Sequence, residues 1–390
     1  MEHTTPTTPT ALVHAPRQME RVRAALLVLA RRLDADAKLP SVRELCRELQ
    51  TSASTLNAVL RELEGEGVLV RRQSVGIFVT PRARLSRPTK VLLLCHPAFF
   101  ASASQSPFWS LLSARMAERA QEQGEEFDMR FARPGTDALL PSDLEDEIRR
   151  APETGLGVLS VGLLLPTNAF LRRHAPCVSF AGESAHIVRF DEEALIEMGV
   201  RALAEKGCRR IGIWWPIPVS PAHRGYAGVK IVRDDATFAA ALARAGLEFH
   251  PELVRRGFEL LPSPEAPALT PQEQGFELAM RVFGKGAGTP APDGLLCTDD
   301  LMTRGALVAL AQAGVRVGHD VHVATHANVG SDVLLRLNVP LTLLRFDPGE
   351  LVNAMFARLD DLFSGAVPLA PAESLVLSLP PQLVPVSVSS

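Results

Sequence analysis

Side chains that can contact a polyanion are concentrated near the N-terminus of the chain. Guanidinium groups pair with phosphate through several donors, and hydroxyl and amide groups bond to phosphate oxygens or to base edges. The candidates follow one another closely and are Arg43, Ser52, Ser54, Thr55, Asn57, Arg61, Arg71, Arg72 and Gly76. Residue types of this kind, so close together in the sequence, indicate a surface for contact with nucleic acid.

The apolar pattern around these residues predicts two helices followed by two strands. Ser41 and Glu44 have the spacing of a capping box, and an apolar stripe follows them on a short helix. A second helix is predicted to bury Leu56, Val59, Leu60 and Leu63, and to point Ser54, Asn57, Ala58 and Arg61 outward. Two short strands are predicted over residues 68–72 and 77–80, on either side of Gly76. This arrangement is typical of a winged helix-turn-helix, which places its second helix in a DNA groove.

Residues 17–80 resemble the DNA-binding domain of GntR-type bacterial regulators. The matching motifs are LPS-x-R-E-L, S-x-x-T, L-R-E-L-E-x-E-G and R-R-x-x-x-G-x-F-V. Ala53 departs from the family, which usually has arginine directly after the turn serine, so base reading is expected to be reduced or redirected. The resemblance implies binding to double-stranded DNA. The alternative interpretation is a winged helix used only for protein contacts.

Charge and composition fit a protein that touches DNA through one end. Residues 1–90 contain 15 Lys or Arg and 9 Asp or Glu, a net charge of +6, and the remaining 300 residues have 26 and 35, a net charge of −9. Residues 1–16 are predicted to be a disordered tail, and residues 81–89 a linker. No signal sequence or membrane-spanning stretch is evident, and the scattered cysteines fit a reducing cytosol. The sequence therefore predicts a cytoplasmic protein with no membrane partner.

Residues 90–385 alternate between strand and helix patterns, which predicts mainly parallel sheets covered by helices. About ten strands would be unusual in one sheet, so two sheets in two lobes are expected. The predicted strands are 90–95, 126–131, 156–161, 177–180, 187–190, 211–214, 294–297, 321–324 and 341–345. The predicted helices are 108–123, 142–150, 191–205, about 234–245, 271–283, 301–313 and 348–363.

Four stretches of this region resemble the effector domain of the LacI type, the periplasmic-binding-protein-like type I fold. They are FDEEALIEMGVRALAEKGCRRIGIW at 190–214, residues 234–246, PDGLLCTDDLMTRGALVALAQAGVRVGHDVHVATHAN at 292–328, and Pro340-Leu341-Thr342 followed by Asp347. The complete predicted fold is thus an N-terminal winged helix-turn-helix followed by a C-terminal two-lobed α/β domain. The resemblance implies that a small molecule binds between the lobes, where the carboxyl ends of the strands converge.

The candidate ligand-binding residues follow from that resemblance and are Asp300, Arg233, Arg224, Trp215, His326, Asn328 and Phe100. Asp300 occupies the position of an aspartate that accepts sugar hydroxyls, although a helix N-cap is the alternative role. Arg233 is one residue away from the position of the family's arginine, and Arg224 is its rival; the alternative for each is a solvated loop arginine. Phe100 comes just after the first strand, where it could form the cleft wall or pack in the core. Trp215 could stack on a sugar ring or pack against its own lobe. His326 and Asn328 replace an aromatic–Asp pair, which puts the sugar class in doubt.

The sequence contains no G-x-S-x-G, P-loop or H-E-x-x-H motif, so we expect no catalytic residue, metal or cofactor. The leading hypothesis is a ligand-responsive transcriptional regulator, of the repressor type, that acts as a homodimer on an inverted-repeat operator. One alternative is a descendant of a solute-binding protein whose DNA-binding head is a relic. Another is a regulator whose cleft has degenerated and binds no ligand.

Overall fold

A computed structural model gives the conformation of most of the chain. It describes residues 36–80 apart from 74, 87–97, 107–132, 140–217 apart from 164 and 183, and 235–386 apart from 264, 265, 289 and 336. It also describes parts of the segment 18–33. Phe100, Arg224 and Arg233 lie outside the described residues.

The N-terminal part, called here the head, has two helices and a two-stranded antiparallel sheet within residues 36–80, and the described residues between 18 and 30 are helical too. Its elements are α1 (Val42–Glu48), α2 (Ala53–Gly65), β1 (Leu69–Arg72) and β2 (Gly76–Val79). Ser41 and Glu44 make the expected capping box at the start of α1. The four inward-facing residues predicted for α2 are all buried, and they pack with Val22 and Leu26 from the segment before α1. The head therefore has its own apolar core.

The first lobe is built on a six-stranded, entirely parallel sheet. Its strands are β3 (Lys90–Cys95), β4 (Glu126–Phe131), β5 (Leu156–Val161), β6 (Cys177–Phe180), β7 (His186–Phe190) and β13 (Leu375–Leu379), in the order β13-β7-β6-β5-β3-β4. Its helices are α3 (Phe108–Glu122), α4 (Ser142–Arg149), α5 (Ala151–Thr154), α6 (Leu165–His174) and α11 (Pro348–Ser364). One apolar cluster joins the sheet to α3 and α11, and another joins its opposite face to α4 and α6.

The second lobe also has six strands, of which only β14 runs antiparallel to its neighbour. The strands are β8 (Ile211–Trp215), β9 (Val254–Arg256), β10 (Gly294–Cys297), β11 (His322–Asn328), β12 (Leu341–Phe346) and β14 (Gln382–Val386), in the order β14-β12-β11-β10-β8-β9. The helices are α7 (Glu192–Glu205), α8 (Ala236–Arg244), α9 (Pro271–Phe283) and α10 (Asp300–Ala313), with 3-10 turns at Pro251–Leu253 and Gly257–Leu260. The sheet is covered by α7 and α8 on one face and by α9 and α10 on the other.

Three segments of the described chain connect the two lobes. The first joins β7 to α7 at residues 190–192, the second joins β12 to α11 at 346–348, and the third joins β13 to β14 at 379–382. The amide of Asp191 donates to the carbonyl of Leu379 over 2.8 Å, which ties the first connection to the third. The ring of Phe190 stacks on that of Phe346, with centroids 4.3 Å apart and planes inclined by 24°. These contacts define a hinge between the lobes.

Helix α10 is held close to α9 by two glycines. A Cβ atom at Gly305 would lie 1.8 Å from the carbonyl oxygen of Gln272, and one at Gly275 would lie 1.9 Å from that of Met302. Only glycine permits such close approach of two helix backbones. The packing fixes the N-terminus of α10, which brings Asp299 and Asp300 to the carboxyl edge of the sheet.

Candidate functional site

Hydroxyl groups cluster at the N-terminus of α2. Ser52 is its N-cap, and the Ser52 hydroxyl accepts from the amide of Thr55 over 3.2 Å. The same oxygen lies 2.9 Å from the hydroxyl of Ser54 and 2.9 Å from that of Thr55. Ser52 and Ser54 are exposed, so these groups can face a ligand at a helix N-terminus, where anions are favoured.

The four candidate arginines of the head are exposed, but they differ in their partners. Arg71 donates to Glu64 over 2.8 Å, and Arg72 donates to Asp36 and lies 4.4 Å from the centre of the Phe78 ring. Among the described residues, Arg61 donates to the carbonyl of Asn57 on its own helix, over 3.2 Å. Neither Arg43 nor Arg61 forms an ion pair with a carboxylate in the part of the chain that the structure describes.

Gly76 and Asn57 have structural roles that the sequence alone did not reveal. Gly76 begins β2 with a φ of +140°, a conformation that side chains rarely adopt, so the turn between the strands accounts for the glycine. Asn57 is half-buried on α2, and its carbonyl anchors Arg61.

A cavity of about 110 Å³ lies beside the hinge and is lined largely by aromatic and apolar side chains. Its lining residues are Phe190, Glu192, Leu195, Ile196, Trp215, Thr298, His326 and Phe346. The His326 ring lies 5.0 Å from that of Phe346 and 6.0 Å from that of Phe190, centroid to centroid. The cavity therefore lies against the stacked rings that join the two lobes.

Strand register explains why Trp215, Thr298 and His326 share this cavity. Cys297 on β10 pairs with Trp214 on one side and with Thr325 on the other. The next residue on each strand therefore comes level with its neighbours at the carboxyl edge of the sheet. Asn328 lies two residues beyond His326 on β11, just as Asp300 lies two residues beyond Thr298.

Three polar atoms at this edge are buried without a hydrogen-bond partner among the described residues. They are the indole nitrogen of Trp215, carboxylate oxygen Oδ2 of Asp300 and amide oxygen Oδ1 of Asn328. Their residues are 3%, 2% and 6% exposed. A buried polar group without a partner costs free energy, and groups of this kind often belong to ligand sites. One donor and two acceptors are therefore available to a bound molecule.

The structure corrects the alternative role considered for Asp300. The N-cap of α10 is Asp299, whose side chain accepts from the amide of Met302 over 2.8 Å, and Asp300 is the first residue of the helix. Oδ1 of Asp300 accepts from the amide of Leu301 over 2.9 Å. Capping is thus assigned to one aspartate, and the other keeps an oxygen without a partner.

Burial shifts the pKa values of three ionisable side chains at this edge of the sheet. Burial, followed by the charge of Asp300, raises the pKa of Asp299 to about 6. Burial also raises the pKa of Asp300, and the hydrogen bond from the amide of Leu301, followed by the neighbouring side chain of Asn328, opposes that shift. Burial lowers the pKa of His326, which the charges of Asp299 and Glu192 oppose. A ligand that donates a hydrogen bond to the carboxylate of Asp300 would stabilise its ionised form.

Replacing Asp299 by asparagine is expected to stabilise the protein at neutral pH. A raised carboxyl pKa means that the folded state holds its proton more tightly than the unfolded state, so stability falls as pH rises from about 4 to about 6. Asparagine caps a helix as well as aspartate and carries no charge. Asp299→Asn should therefore increase the free energy of unfolding by about 1–3 kcal/mol at pH 7.5, and by almost nothing at pH 4.

Thermal melts of both proteins at the two pH values measure this difference. Asp347→Asn, at the N-cap of α11, is the control for asparagine at a cap. An equal gain at both pH values would show that the charge of Asp299 does not penalise the fold.

The structure brings together only some of the predicted ligand residues. Trp215 and His326 line the cavity, and Asp300 and Asn328 lie at the same sheet edge. Trp214, by contrast, packs against α9 and α10 on the other face of the sheet. Cavity-lining Phe190, Glu192, Leu195, Ile196, Thr298 and Phe346 were missed. The available signal was their position: five of the six lie within the resembling stretches 190–214 and 292–328, and Phe346 directly precedes Asp347.

No three His, Cys, Asp or Glu side chains in the described residues lie close enough to hold a metal ion. No helix in that part is both long and apolar enough to cross a membrane.

Comparison with known proteins finds two families. Residues 19–79 match the bacterial regulatory proteins of the gntR family, and residues 200–385 match a periplasmic binding protein-like domain. None of the curated proteins compared with the chain matches it.

Solved structures with the same fold include a transcriptional regulator CelR–cellobiose complex, which is 18% identical in sequence and has a TM-score of 0.54. The match covers 89% of this chain and 98% of the CelR chain. A lac repressor dimer bound to operator and the anti-inducer ONPF is 19% identical with a TM-score of 0.54, over 76% and 93%. A putative transcriptional regulator LacI from Bacillus cereus subsp. cytotoxis NVH 391-98 is 18% identical with a TM-score of 0.55, over 77% and 99%. The predicted fold class is therefore confirmed, and the chain joins a gntR-type DNA-binding domain to a periplasmic-binding-protein-like domain, the composition of a transcriptional regulator.

Proposed function

We propose that the chain is a repressor whose DNA binding is controlled by a small molecule held between the two lobes. Residues 17–80 would bind the operator, and residues 90–385 would bind the effector and form the dimer. Residues 81–89 would connect these two parts. The observation that carries the proposal is the set of buried, unpartnered polar atoms on Trp215, Asp300 and Asn328 beside an aromatic-lined cavity. Such atoms are costly in an empty protein and useful in a liganded one.

The proposed effector is a sugar or sugar derivative. Hydroxyl groups can donate to Asp300 and Asn328 and accept from Trp215, while the aromatic rings can pack on the apolar faces of a sugar ring. The similar CelR structure was solved with cellobiose, which is consistent with a ligand of this class. Because a ligand changes an equilibrium only through different affinities for two states, the effector must favour one arrangement of the lobes.

Contact with DNA is proposed for the exposed polar groups of α1, α2 and the two strands. Arg43, Arg61, Arg71 and Arg72 would pair with phosphates. Ser52, Ser54, Thr55 and Asn57 would contact phosphates or base edges, and Gly76 would keep the turn of the wing in shape.

Two measurements on the full-length protein test this function. A thermal-shift screen of monosaccharides, disaccharides, sugar acids and polyols should find a compound that raises the melting temperature. Gel shifts on fragments of the source genome should find a sequence-preferring complex that the same compound weakens. DNA binding with no response to any compound would favour a degenerate cleft, and a ligand response with no DNA binding would favour a solute-binding descendant with a relic head.

A homodimer is expected in solution, because two identical heads related by a two-fold axis match an inverted repeat. Light scattering on the full-length protein should give twice the mass of one chain at micromolar concentration. The DNA fragment that is bound should contain two half-sites in inverted orientation. A monomeric mass under conditions in which DNA is bound would contradict the dimer.

A further inference from the structure

One arginine of the head contacts both the end of α2, called here the recognition helix, and the first lobe. The guanidinium of Arg23 donates to both carboxylate oxygens of Glu66, each over 2.9 Å, and also to the carbonyl of Gly365. The two side chains of the ion pair are only 13% and 11% exposed. Glu66 is the C-cap of α2, and Gly365 is the C-cap of α11. Arg23 therefore joins the C-terminal ends of two helices that belong to different domains.

The chemistry of this junction is favourable and depends strongly on geometry. The last carbonyls of a helix lack helical partners and carry partial negative charge, so a guanidinium group is stabilised there. A hydrogen bond to a carbonyl weakens steeply once the distance or angle departs from its narrow range. A displacement of the α11 terminus that carries this carbonyl beyond hydrogen-bond distance would therefore break the contact with Gly365 and leave the pair with Glu66 in place.

The other end of α11 lies at the hinge. Asp347 caps this helix by accepting from the amide of Gly349 over 2.7 Å, and it directly follows the cavity residue Phe346. The 17 residues of α11 span about 25 Å at 1.5 Å per residue, without an interruption between the hinge and Gly365. Its buried face packs on the first lobe through residues that include Leu351, Met355 and Leu359. A change at the cavity can thus reach the head along one rigid element.

The end of the linker is attached near the same helix. Arg87 donates to the side chain of Gln123 over 2.8 Å, and its charge lowers the pKa of Asp360 on α11 against the larger, raising effect of burial. The end of the linker therefore lies close enough to the last two turns of α11 for its charge to act there, next to the Arg23 contact with Gly365.

We propose that α11 and Arg23 transmit the state of the cleft to the recognition helix, so that lobe movement at Phe346 makes or breaks the contact between Arg23 and Gly365. This inference rests on the proposed function, because it describes how that function is regulated. While Arg23 contacts Gly365, the head is held against the first lobe in one orientation. When this contact is lost, the head is free to reorient.

Arg23→Lys tests the junction selectively. A lysine can still pair with Glu66, but its single ammonium group lacks the planar fork that reaches two acceptors in different directions. Arg21→Lys is the matched control, since Arg21 donates to the carbonyls of Leu49 and Gln50 inside the head. Hydrogen exchange of the full-length protein reports on amides 361–367 at the end of α11 and on amides 61–68 at the end of α2.

Coupling is tested by disturbing the hinge in both backgrounds. Phe346→Leu removes one ring of the stack, and it should change exchange of amides 61–68 about fivefold in the otherwise wild-type protein, the effect of about 1 kcal/mol. In the Arg23→Lys background the same substitution should leave those amides unchanged. Phe190→Leu, the opposite ring of the stack, provides a second hinge variant should the first fail to fold.

The possible results separate this inference from the proposed function. If neither hinge variant alters exchange in 61–68, or if both act equally in the wild-type and Arg23→Lys backgrounds, the proposed transmission is wrong. Neither result depends on DNA or on an effector, so a protein that binds no DNA would contradict the proposed function and leave the coupling measurement intact.

Discussion

Replacing Arg43 and Arg61 together by alanine is expected to reduce DNA affinity by about 10- to 100-fold at physiological salt. Neither arginine has a carboxylate partner in the described part of the head, so its loss removes a phosphate contact without breaking an internal ion pair. Each lost contact reduces the log–log dependence of affinity on salt by about 0.9. The slope should therefore fall by about 1.8 for one bound head and by about 3.6 for two.

Fluorescence anisotropy with a labelled genomic fragment at several salt concentrations measures both quantities. Arg115→Ala with Arg130→Ala is the control, because it removes the same charge from exposed positions on the first lobe. If the control lowers the slope as much as the head variant does, net charge controls binding and the head makes no specific phosphate contact. An unchanged slope in the head variant would remove Arg43 and Arg61 from the interface.

Asp300→Asn is expected to weaken effector binding at least about tenfold, since an acceptor for a ligand hydroxyl would be replaced by a donor. Oδ2 of Asp300 is buried and lacks a partner, whereas Oδ1 can be replaced by the amide oxygen in its bond with Leu301. The melting temperature without ligand should not fall, because the helix is capped by Asp299 and a buried carboxylate is removed. Thermal shifts with any compound that stabilises the wild type give the comparison.

Asp299→Asn is the matched control for this substitution, one residue away on the same turn. Its carboxylate is already bonded to Met302, so the affinity for the effector should change by no more than about twofold. Equal stabilisation of wild type and Asp300→Asn by the compound would exclude Asp300 from the ligand contacts. A large loss in Asp299→Asn alone would move the contact to that residue.

The sequence predicted elements well where a pattern was long and locally determined. The capping box at Ser41, the four buried residues of α2 and most strands of both lobes lie within one or two residues of their predicted positions. These features follow from periodicity and capping, which neighbouring residues decide. The helix α6 and the strand β9 were not predicted. The latter has only three residues, with two arginines, and is defined by its pairing with β8.

The strands β13 and β14 were missed for a different reason. Each forms an edge of a sheet, and their partners are far away in the sequence: β13 pairs with β7, and β14 pairs with β12. Val376, Leu377 and Leu383 remain exposed, so no clean alternation marks these strands. Their assignment depends on which lobe the chain has returned to, and a local pattern does not contain that information.

The site shows the same division. Trp215 and Asp300 were proposed because they lie at or just after the ends of strands within recognisable stretches, and the structure places both at the carboxyl edge of the sheet. The capping role of Asp300, however, depended on one residue of helix register. The cap belongs to Asp299, and both aspartates satisfy the sequence rule for a cap. The stacking of Phe190 on Phe346 joins residues 156 positions apart, across two lobes, and no local pattern indicates it.

The late position of β13 has a consequence for the order in which the protein becomes functional on the ribosome. The head core is formed by residues up to Val79, whereas the first lobe needs α11 and then β13, which ends at Leu379. At bacterial rates of synthesis the roughly 300 intervening residues take about 15–60 s. A nascent chain thus carries a folded head while its first lobe is still incomplete. A chain that stops before residue 375 would keep the head and lack a strand of the first lobe, so we expect truncated products to contact DNA through single heads, without a response to an effector.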